Sequence, residues 1–280
     1  MIEIVTLTGE VQGALASPVR PSGLGVLVLT GSSGRVDVDR ARRFAERGAV
    51  ALAQRWWGGE GQAPGINLIP LEVFIKGVDR LKAEGCTRIA ILGTSNGAQA
   101  ALLVAVRDPR IDVVIAISPA HVVWPNFGPG LDGSDWPPRS SFTWNGAALP
   151  FVVWDLRAWP PISETRPVYR PLYEKSLLTF ADDVPAATIP VEDTKAEIIL
   201  VAGAGDLLWP SEAAAHAIAA RLGREAVIVE HPTAGHSPVF PGEALLPEPP
   251  ARAWGGTPEA DRELGAAAWA EIARRLDLTP

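Results

Sequence analysis

Short, almost wholly apolar runs recur along this chain and alternate with longer stretches that mix apolar and polar residues. Such runs predict strands buried on both faces, and the stretches between them predict helices that cover the sheet. Six runs carry the pattern: residues 24–29, 49–53, 89–92, 111–117, 196–202 and 226–230. This alternation is typical of the α/β class, with a mostly parallel central sheet and helices on both faces.

The N-terminal residues follow another pattern. Residues 2–7 and 11–15 are separated by Thr8-Gly9-Glu10, and this spacing predicts a hairpin at the edge of the sheet. Helices are predicted from near Asp37, over residues 69–84 with Gly85 as C-cap, over residues 98–106, and after Ser211 as N-cap.

The pattern changes between residues 119 and 194, where prolines are frequent and periodicity is weak until residues 172–180. A cap inserted above the sheet accounts for this change, so we predict one domain over residues 1–280 with this insertion. Most tryptophans of the insertion are expected to pack it against the body, and one or two to contact a ligand. The candidates are Trp124, Trp136, Trp144, Trp154 and Trp159.

The composition narrows the classes of function. Hydrophobic residues make up 47% and charged residues 20% of 280 positions, which suits one large core. The net charge of −7 argues against a general nucleic-acid surface. No Cys/His cluster or HExxH spacing suggests a metal, and no cofactor is expected. The single cysteine, Cys86, excludes an internal disulfide framework and is expected to be a buried structural thiol.

The sequence also bears on location. It does not open with a basic segment followed by an apolar core, and no stretch has about 18 uninterrupted apolar residues. We therefore expect a cytoplasmic protein that acts on a small molecule, without nucleic-acid or membrane partners. The sequence leaves the oligomeric state open.

The stretch Gly93-Thr94-Ser95-Asn96-Gly97 has the Gly-x-Ser-x-Gly pattern of a nucleophile elbow. A predicted strand precedes it and a predicted helix follows it, which is the order that an elbow requires. Small residues are needed two positions before and after the serine, because the strand end and the helix start pass close together. Ser95 is thus the predicted nucleophile, and a plain glycine-rich turn is the alternative.

The chain supplies a candidate acid and base after the elbow. Asp206 follows the strand predicted at residues 196–202, and open α/β sheets place ligands at this end of their strands. A plain turn aspartate is the alternative. His236 lies in the loop after the last core strand, from which it can reach Ser95. The order Ser95, Asp206, His236 is that of the α/β-hydrolase triad.

Three other histidines are weaker candidates for the base. His231 lies at a strand end before Pro232, where a packing or hydrogen-bonding role is expected. His216 falls within a predicted helix among alanines. His121 opens the cap and precedes the acid in the chain, which is the wrong order for this triad.

An oxyanion hole is expected from two backbone N–H groups. The loop of residues 31–34 leaves a strand before the elbow, where this architecture takes one donor, and Ser32 is the candidate. The second donor would be the N–H of Asn96, directly after the nucleophile. The alternative for this loop is a flexible connection. Trp57 and Leu207 are predicted substrate contacts.

Several stretches resemble the catalytic domain shared by acyl-CoA thioester hydrolases and bile acid-CoA:amino acid N-acyltransferases. They are Ile69-Pro70-Leu71-Glu72-Val73-Phe74, Ile189-Pro190-Val191-Glu192, residues 203–211 with their Trp-Pro-Ser ending, and Gly255-Gly256-Thr257 before a helix containing Trp269. The resemblance implies an α/β-hydrolase fold with a Pro/Trp-rich cap. These stretches have no catalytic rationale in the sequence, but their order matches that of the family.

The chain departs from that family at three points. Gly205 stands where the family usually has the first of two paired aspartates, and Asp206 matches the second. Ser95 stands where the acyltransferase members use cysteine, which favours hydrolysis over conjugation. The family's N-terminal β-sandwich domain does not precede the first core strand, so the substrate range of the full-length members is not carried over.

These features together predict a serine acyl hydrolase that cleaves an ester or thioester through an acyl-enzyme. An acyltransferase on the same triad and a non-catalytic ligand-binding protein are the alternatives. Acyl-CoA substrates would need a local basic patch, because coenzyme A carries several phosphate charges. The candidates for this patch, for which a solvated helix face is the alternative, are Arg35, Arg40, Arg42 and Arg43.

Overall fold

The computed structural model of the chain describes residues 2–160, 166–245, 247, 249 and 251–279. Residues 161–165 of the predicted cap lie outside the described residues, as do residues 1, 246, 248, 250 and 280 of the predicted domain.

The described part of the chain has eleven strands. They are β1 (Ile2–Thr8), β2 (Gln12–Pro18), β3 (Leu24–Leu29), β4 (Val50–Arg55), β5 (Ile69–Pro70), β6 (Arg88–Thr94), β7 (Val113–Ile117), β8 (Phe142–Trp144), β9 (Ala147–Ala148), β10 (Glu197–Gly203) and β11 (Val227–His231). Eight of them form one sheet in the order β1-β2-β4-β3-β6-β7-β10-β11. Strand β2 runs in the direction opposite to that of the other seven. The predicted parallel sheet and its edge hairpin are confirmed.

Helices cover both faces of this sheet. They are α1 (Val38–Glu46), α2 (Glu72–Ala83), α3 (Asn96–Arg107), α6 (Ser211–Leu222) and α7 (Pro258–Arg275). Two more helices, α4 (Arg170–Thr179) and α5 (Val184–Ala187), belong to the segment between β7 and β10. Helices α1 and α7 share one core, where Phe44 and Trp269 meet edge to face at 5.2 Å. The second core, on the other face, packs α2, α3 and α6. No helix in the described part combines the length and hydrophobicity of a membrane span.

Two predicted helix starts were wrong. Ile69 and Pro70 form a short strand instead of a first helical turn, and Ile69 N–H donates to the Ser141 carbonyl oxygen. The residue before a proline disfavours helix, so α2 begins only at Glu72. Ser211 is the first residue of α6 and not its N-cap, and its hydroxyl contacts the Gly203 carbonyl oxygen at 3.5 Å.

The segment between β7 and β10 lies over the carboxyl ends of the strands. It contributes β8 and β9, which form a small sheet with β5, and helices α4 and α5. An apolar cluster joins it to the body, because Trp124 packs on Tyr173 at 4.7 Å and Tyr173 packs on Trp209 at 5.6 Å. Trp209 lies two residues before the start of α6, and its indole also contacts His236.

Candidate active site

Ser95 occupies the turn between β6 and α3. Its backbone is in the left-handed region, with φ 59° and ψ −123°, which is a strained conformation for a residue with a side chain. A Cβ on Gly93 would overlap the Gly97 carbonyl group, and a Cβ on Gly97 would lie 2.7 Å from the Leu29 carbonyl oxygen. Gly93 is therefore needed for β6 and α3 to pass each other, and Gly97 is needed for α3 to lie against the end of β3.

His236 and Asp206 are joined by a buried hydrogen bond. The distance from His236 Nδ1 to Asp206 Oδ2 is 2.7 Å, and the Asp206 side chain has no solvent exposure. The other carboxylate oxygen, Oδ1, accepts the backbone N–H groups of Leu208 at 2.8 Å and Trp209 at 3.2 Å. With both oxygens engaged, the carboxylate holds the imidazole in one orientation and favours a proton on Nδ1.

The second ring nitrogen of this histidine does not take part in the hydrogen bond to Asp206. His236 Nε2 is buried and has no hydrogen-bond partner in the described part of the chain. His236 and Ser95 line the same cavity. Catalytic hydrogen bonds are often long before substrate binds, so an Nε2 without a partner beside a serine is compatible with a resting general base.

A strap formed by residues 254–256 holds the loops of the acid and the base together. The Trp254 carbonyl oxygen accepts the backbone N–H of His236 at 2.9 Å and that of Leu207 at 3.2 Å. Gly255 has φ +72°, and a Cβ there would overlap the Gly205 carbonyl oxygen. A Cβ on Gly205 would in turn lie 2.9 Å from the Thr233 carbonyl oxygen. Close backbone packing thus accounts for the Gly255-Gly256 stretch and for glycine in place of the family's first aspartate.

The remaining histidines take other partners. His231 Nε2 lies 3.0 Å from Glu263, and exposed His216 lies 2.9 Å from Glu230. His121 is in the cap, and burial lowers the pKa of its imidazole. In the described residues, one group could hold a metal ion, namely Glu212, His216 and Glu230. This group is on the surface, and none of its members lines a cavity at Ser95.

The loop of residues 31–34, here called the oxyanion loop, packs directly on the elbow. A Cβ on Gly31 would lie 2.8 Å from Ser95 Cβ and 3.3 Å from the Asn96 nitrogen. Asn96 is the first residue of α3, so its N–H has no acceptor within the helix. The two predicted donors, Ser32 and Asn96, therefore belong to chain segments in contact beside the nucleophile.

The structure does not bring the two predicted substrate contacts to the cavities at Ser95. The Trp57 indole N–H donates to the Gly31 carbonyl oxygen at 3.3 Å, so Trp57 supports the oxyanion loop from behind. Leu207 is 37% exposed, because Asp206 holds the next residues, Leu208 and Trp209, inward. It is Leu208 that lines both cavities, which periodicity in a short loop did not indicate.

Two cavities open at Ser95. The wide cleft, of about 720 Å³, extends along α1 and the oxyanion loop. The aromatic cavity, of about 460 Å³, lies beneath the cap. Both are lined by the same four residues: Ser32, Ser95, Leu208 and Arg252.

Three of the five predicted cap tryptophans line the aromatic cavity. They are Trp136, Trp154 and Trp159, joined by Tyr169, Tyr173 and Trp209. Trp124 instead packs inside the cap, and Trp144 lies beneath the Arg107 guanidinium. The cap therefore presents aromatic side chains to the space beside the nucleophile.

Most of the predicted basic patch is neutralised. Arg35, Arg40 and Arg42 all line the wide cleft, but each forms an ion pair, with Asp37 at 3.3 Å, Glu243 at 2.7 Å and Asp39 at 3.0 Å respectively. Arg43 has no such pair with the described residues. The sequence could not show this, because Glu243 is far from Arg40 along the chain.

The free thiol of Cys86 is buried, as predicted. Burial raises the pKa of this thiol to about 11, so the thiol form dominates at neutral pH.

Comparison with known proteins extends these observations. The family described as "BAAT / Acyl-CoA thioester hydrolase C terminal" matches residues 171–277, a range that includes Asp206 and His236 and begins after Ser95. No curated protein sequence matches the chain.

Solved structures match the fold at low sequence identity. A putative dienelactone hydrolase from Klebsiella pneumoniae subsp. pneumoniae MGH 78578 is 14% identical, with a TM-score of 0.55 over 99% of this chain and 98% of that chain. An esterase/lipase from an uncultured bacterium is 16% identical, with a TM-score of 0.51 over 99% and 84%. A puromycin-hydrolyzing peptidase from Mycobacterium tuberculosis is 14% identical, with a TM-score of 0.57 over 100% and 40%. The chain therefore has the α/β-hydrolase fold and, over residues 171–277, is similar to the C-terminal family of BAAT and acyl-CoA thioester hydrolases.

Proposed function

We propose that this protein is a serine acyl hydrolase that cleaves an ester or thioester with Ser95, His236 and Asp206. The observation that carries the proposal is the buried 2.7 Å hydrogen bond between Asp206 and His236, whose Nε2 has no partner among the described residues and which lines the same cavity as the strained Ser95. This arrangement has the three roles that the chemistry needs, which are nucleophile, base and orienting carboxylate.

In the first half of the reaction, His236 Nε2 removes the proton of the Ser95 hydroxyl as its oxygen attacks the carbonyl carbon. The Asp206 carboxylate stabilises the imidazolium that forms. The carbonyl oxygen becomes an oxyanion, which the N–H groups of Ser32 and Asn96 would bind. When the tetrahedral intermediate collapses, His236 gives its proton to the leaving alcohol or thiol, and an acyl-Ser95 ester remains.

In the second half, water attacks the acyl-Ser95 ester. His236 removes a proton from this water, the second tetrahedral intermediate is held by the same N–H groups, and Ser95 leaves with the proton from His236. The products are a carboxylic acid and the restored hydroxyl. An amine or alcohol in place of water would make the protein an acyltransferase.

The two cavities support the proposal that the acyl group and the leaving group of the substrate bind in different cavities. An apolar acyl group suits the aromatic cavity, since most of its lining residues are aromatic or aliphatic. The leaving group would then occupy the wide cleft, whose lining includes many charged side chains. The family match over residues 171–277 makes thioesters a sensible part of any substrate screen.

The test of the proposed function is active-site labelling by a fluorophosphonate probe, followed by hydrolysis assays on 4-nitrophenyl esters and acyl-CoA thioesters. Labelling should occur in the wild type and be lost in Ser95→Ala. Ser33→Ala is the matched control, because Ser33 lines the same cleft and should keep its labelling. Absence of labelling in the folded wild type would indicate a non-catalytic binding protein.

Two further measurements refine the substrate. Product analysis with and without added amino acids separates hydrolysis from acyl transfer. Rates on an acyl-CoA and on the same acyl group carried by a short neutral thiol test phosphate recognition. With three of the four predicted arginines paired, the CoA ester should be preferred only weakly, and added salt should remove that preference.

A further inference from the structure

Arg252 lies where the two cavities and the oxyanion loop meet. Like Ser95, it lines both the wide cleft and the aromatic cavity. Its Nη1 donates a hydrogen bond to the Ser32 hydroxyl at 2.9 Å, and its guanidinium carbon lies 4.8 Å from the centre of the Phe127 ring. These contacts hold the guanidinium beside the residues that would bind the ester group.

No carboxylate neutralises Arg252 within the described residues, unlike the paired arginines of the wide cleft. Among the described residues, its one side-chain hydrogen bond is to the Ser32 hydroxyl, and a guanidinium has five N–H donors. Burial lowers the pKa of the Arg252 guanidinium from its ordinary value. A guanidinium still keeps its proton under such conditions. In the part of the chain that the structure describes, the site thus contains a partly desolvated positive charge without a fixed counter-charge.

The surroundings of Arg252 indicate which chemical group on a ligand it would bind. It is the only cationic residue that the described part of the chain contributes to the aromatic cavity. The ring of Phe127 restricts the guanidinium plane, and a planar guanidinium binds a carboxylate or phosphate through paired N–H groups. An anionic group on the substrate would therefore be bound close to Ser95, with the apolar remainder against the aromatic side chains.

We propose that Arg252 binds an anionic group, a carboxylate or a phosphate, on the substrate next to the scissile carbonyl, and that the enzyme thereby prefers negatively charged esters. This inference rests on the proposed hydrolase function. It assigns Arg252 to substrate binding and leaves the bond-breaking chemistry to Ser95, His236 and Asp206.

The experiment compares two pairs of esters that differ in charge but little in shape. In one pair the charge is on the acyl side, with 4-nitrophenyl hydrogen adipate against 4-nitrophenyl methyl adipate. In the other it is on the leaving group, with 4-carboxyphenyl butyrate against 4-carbamoylphenyl butyrate. Values of kcat/KM are measured for the wild type, Arg252→Gln and Arg252→Lys, after subtraction of spontaneous hydrolysis.

Arg252→Gln should lower kcat/KM for the charged member of one pair by about 10- to 100-fold, as expected for a lost hydrogen bond to a charged group. The neutral members should change little, because glutamine can still donate to the Ser32 hydroxyl. Most of the loss should be in KM, and Arg252→Lys should restore part of it. The affected pair identifies which half of the ester carries the charge.

The matched control is Arg80→Gln, which removes a positive charge from a partly exposed, paired position that lines neither cavity. It should leave both charge preferences unchanged. The inference is overturned if Arg252→Gln leaves the charge preferences unchanged or slows all four esters equally, since Arg252 would then only support Ser32, or if Arg80→Gln removes the same preference. Failure of the proposed function looks different, because the neutral esters would not be hydrolysed at all.

Discussion

The indole of Trp209 meets the imidazole of His236 edge to face, with 5.5 Å between the ring centroids. Trp209 also touches the acid, because its backbone N–H donates to Asp206 Oδ1. Its indole N–H donates to the Ser118 carbonyl oxygen at 3.1 Å, and the Ser118 hydroxyl donates to the His236 carbonyl oxygen at 2.8 Å. Trp209 and Ser118 thus fix the acid and the base from behind.

Trp209→Phe should keep most of this packing but leave the buried Ser118 carbonyl oxygen without its donor. We expect the free energy of unfolding to fall by about 1–3 kcal/mol, measured by urea denaturation. Trp159→Phe is the control, because Trp159 is 42% exposed and its replacement should change stability by less than about 0.5 kcal/mol. Equal losses would show that the indole N–H has no special role.

The proposed triad predicts a graded loss of activity. Ser95→Ala and His236→Ala should each lower kcat by about 10⁴- to 10⁶-fold, and Asp206→Asn by about 10⁴-fold, because the three groups act as a unit. Thermal unfolding should show that the variants remain folded. His231→Ala is the control, since His231 bonds Glu263 instead. Greater damage from His231→Ala than from His236→Ala would contradict the assignment.

A buried ion pair supports the elbow. Arg40 donates to both carboxylate oxygens of Glu243, at 2.9 and 2.7 Å, and its Nη1 donates to the Thr94 hydroxyl at 3.3 Å, directly before Ser95. The two side chains are only 7% and 9% exposed. Glu243→Gln would leave the buried guanidinium without its main partner, so we expect it to lower the free energy of unfolding by about 3 kcal/mol.

The same pair predicts a pH dependence. Burial pushes the pKa of Glu243 upward, but the hydrogen bond and charge of Arg40 outweigh this effect and hold it below its ordinary value. A pKa lower in the folded than in the unfolded state stabilises the fold above the unfolded pKa, and this stability is lost as the pH falls through the folded pKa. The difference between wild type and Glu243→Gln should therefore shrink below about pH 4.3. A constant difference down to pH 2 would contradict the prediction.

The strap of residues 254–256 predicts a position-specific effect of an added methyl group. Gly255→Ala should destabilise the fold strongly and lower kcat/KM, because the new Cβ overlaps the Gly205 carbonyl oxygen. Gly58→Ala is a matched control, since Gly58 has the same φ of +72° with no atom near the new Cβ. It should cost only about 1–2 kcal/mol for the left-handed backbone. Similar effects at both sites would show that the strap does not position the site.

The pattern of apolar and polar residues was sufficient to predict the fold class. The apolar runs and their alternation with helices are local patterns, and they placed the parallel strands and the edge hairpin correctly. The same patterns put Ser95 in the turn between β6 and α3 and Asp206 just after β10, because a chain that alternates strand and helix brings the carboxyl ends of its strands to one edge.

The side chains that surround these positions could not be predicted without the three-dimensional fold. Periodicity does not report which distant segments meet, so it could not show that Glu243 neutralises Arg40, or that Arg252 reaches Ser32 across most of the chain. Nor could it show that Trp57 lies behind the oxyanion loop while Leu208 faces the cavities. The contacts of Glu243 and Arg252 depend on the return of the segment after β11 over the site, where close packing and burial select the partner of each group.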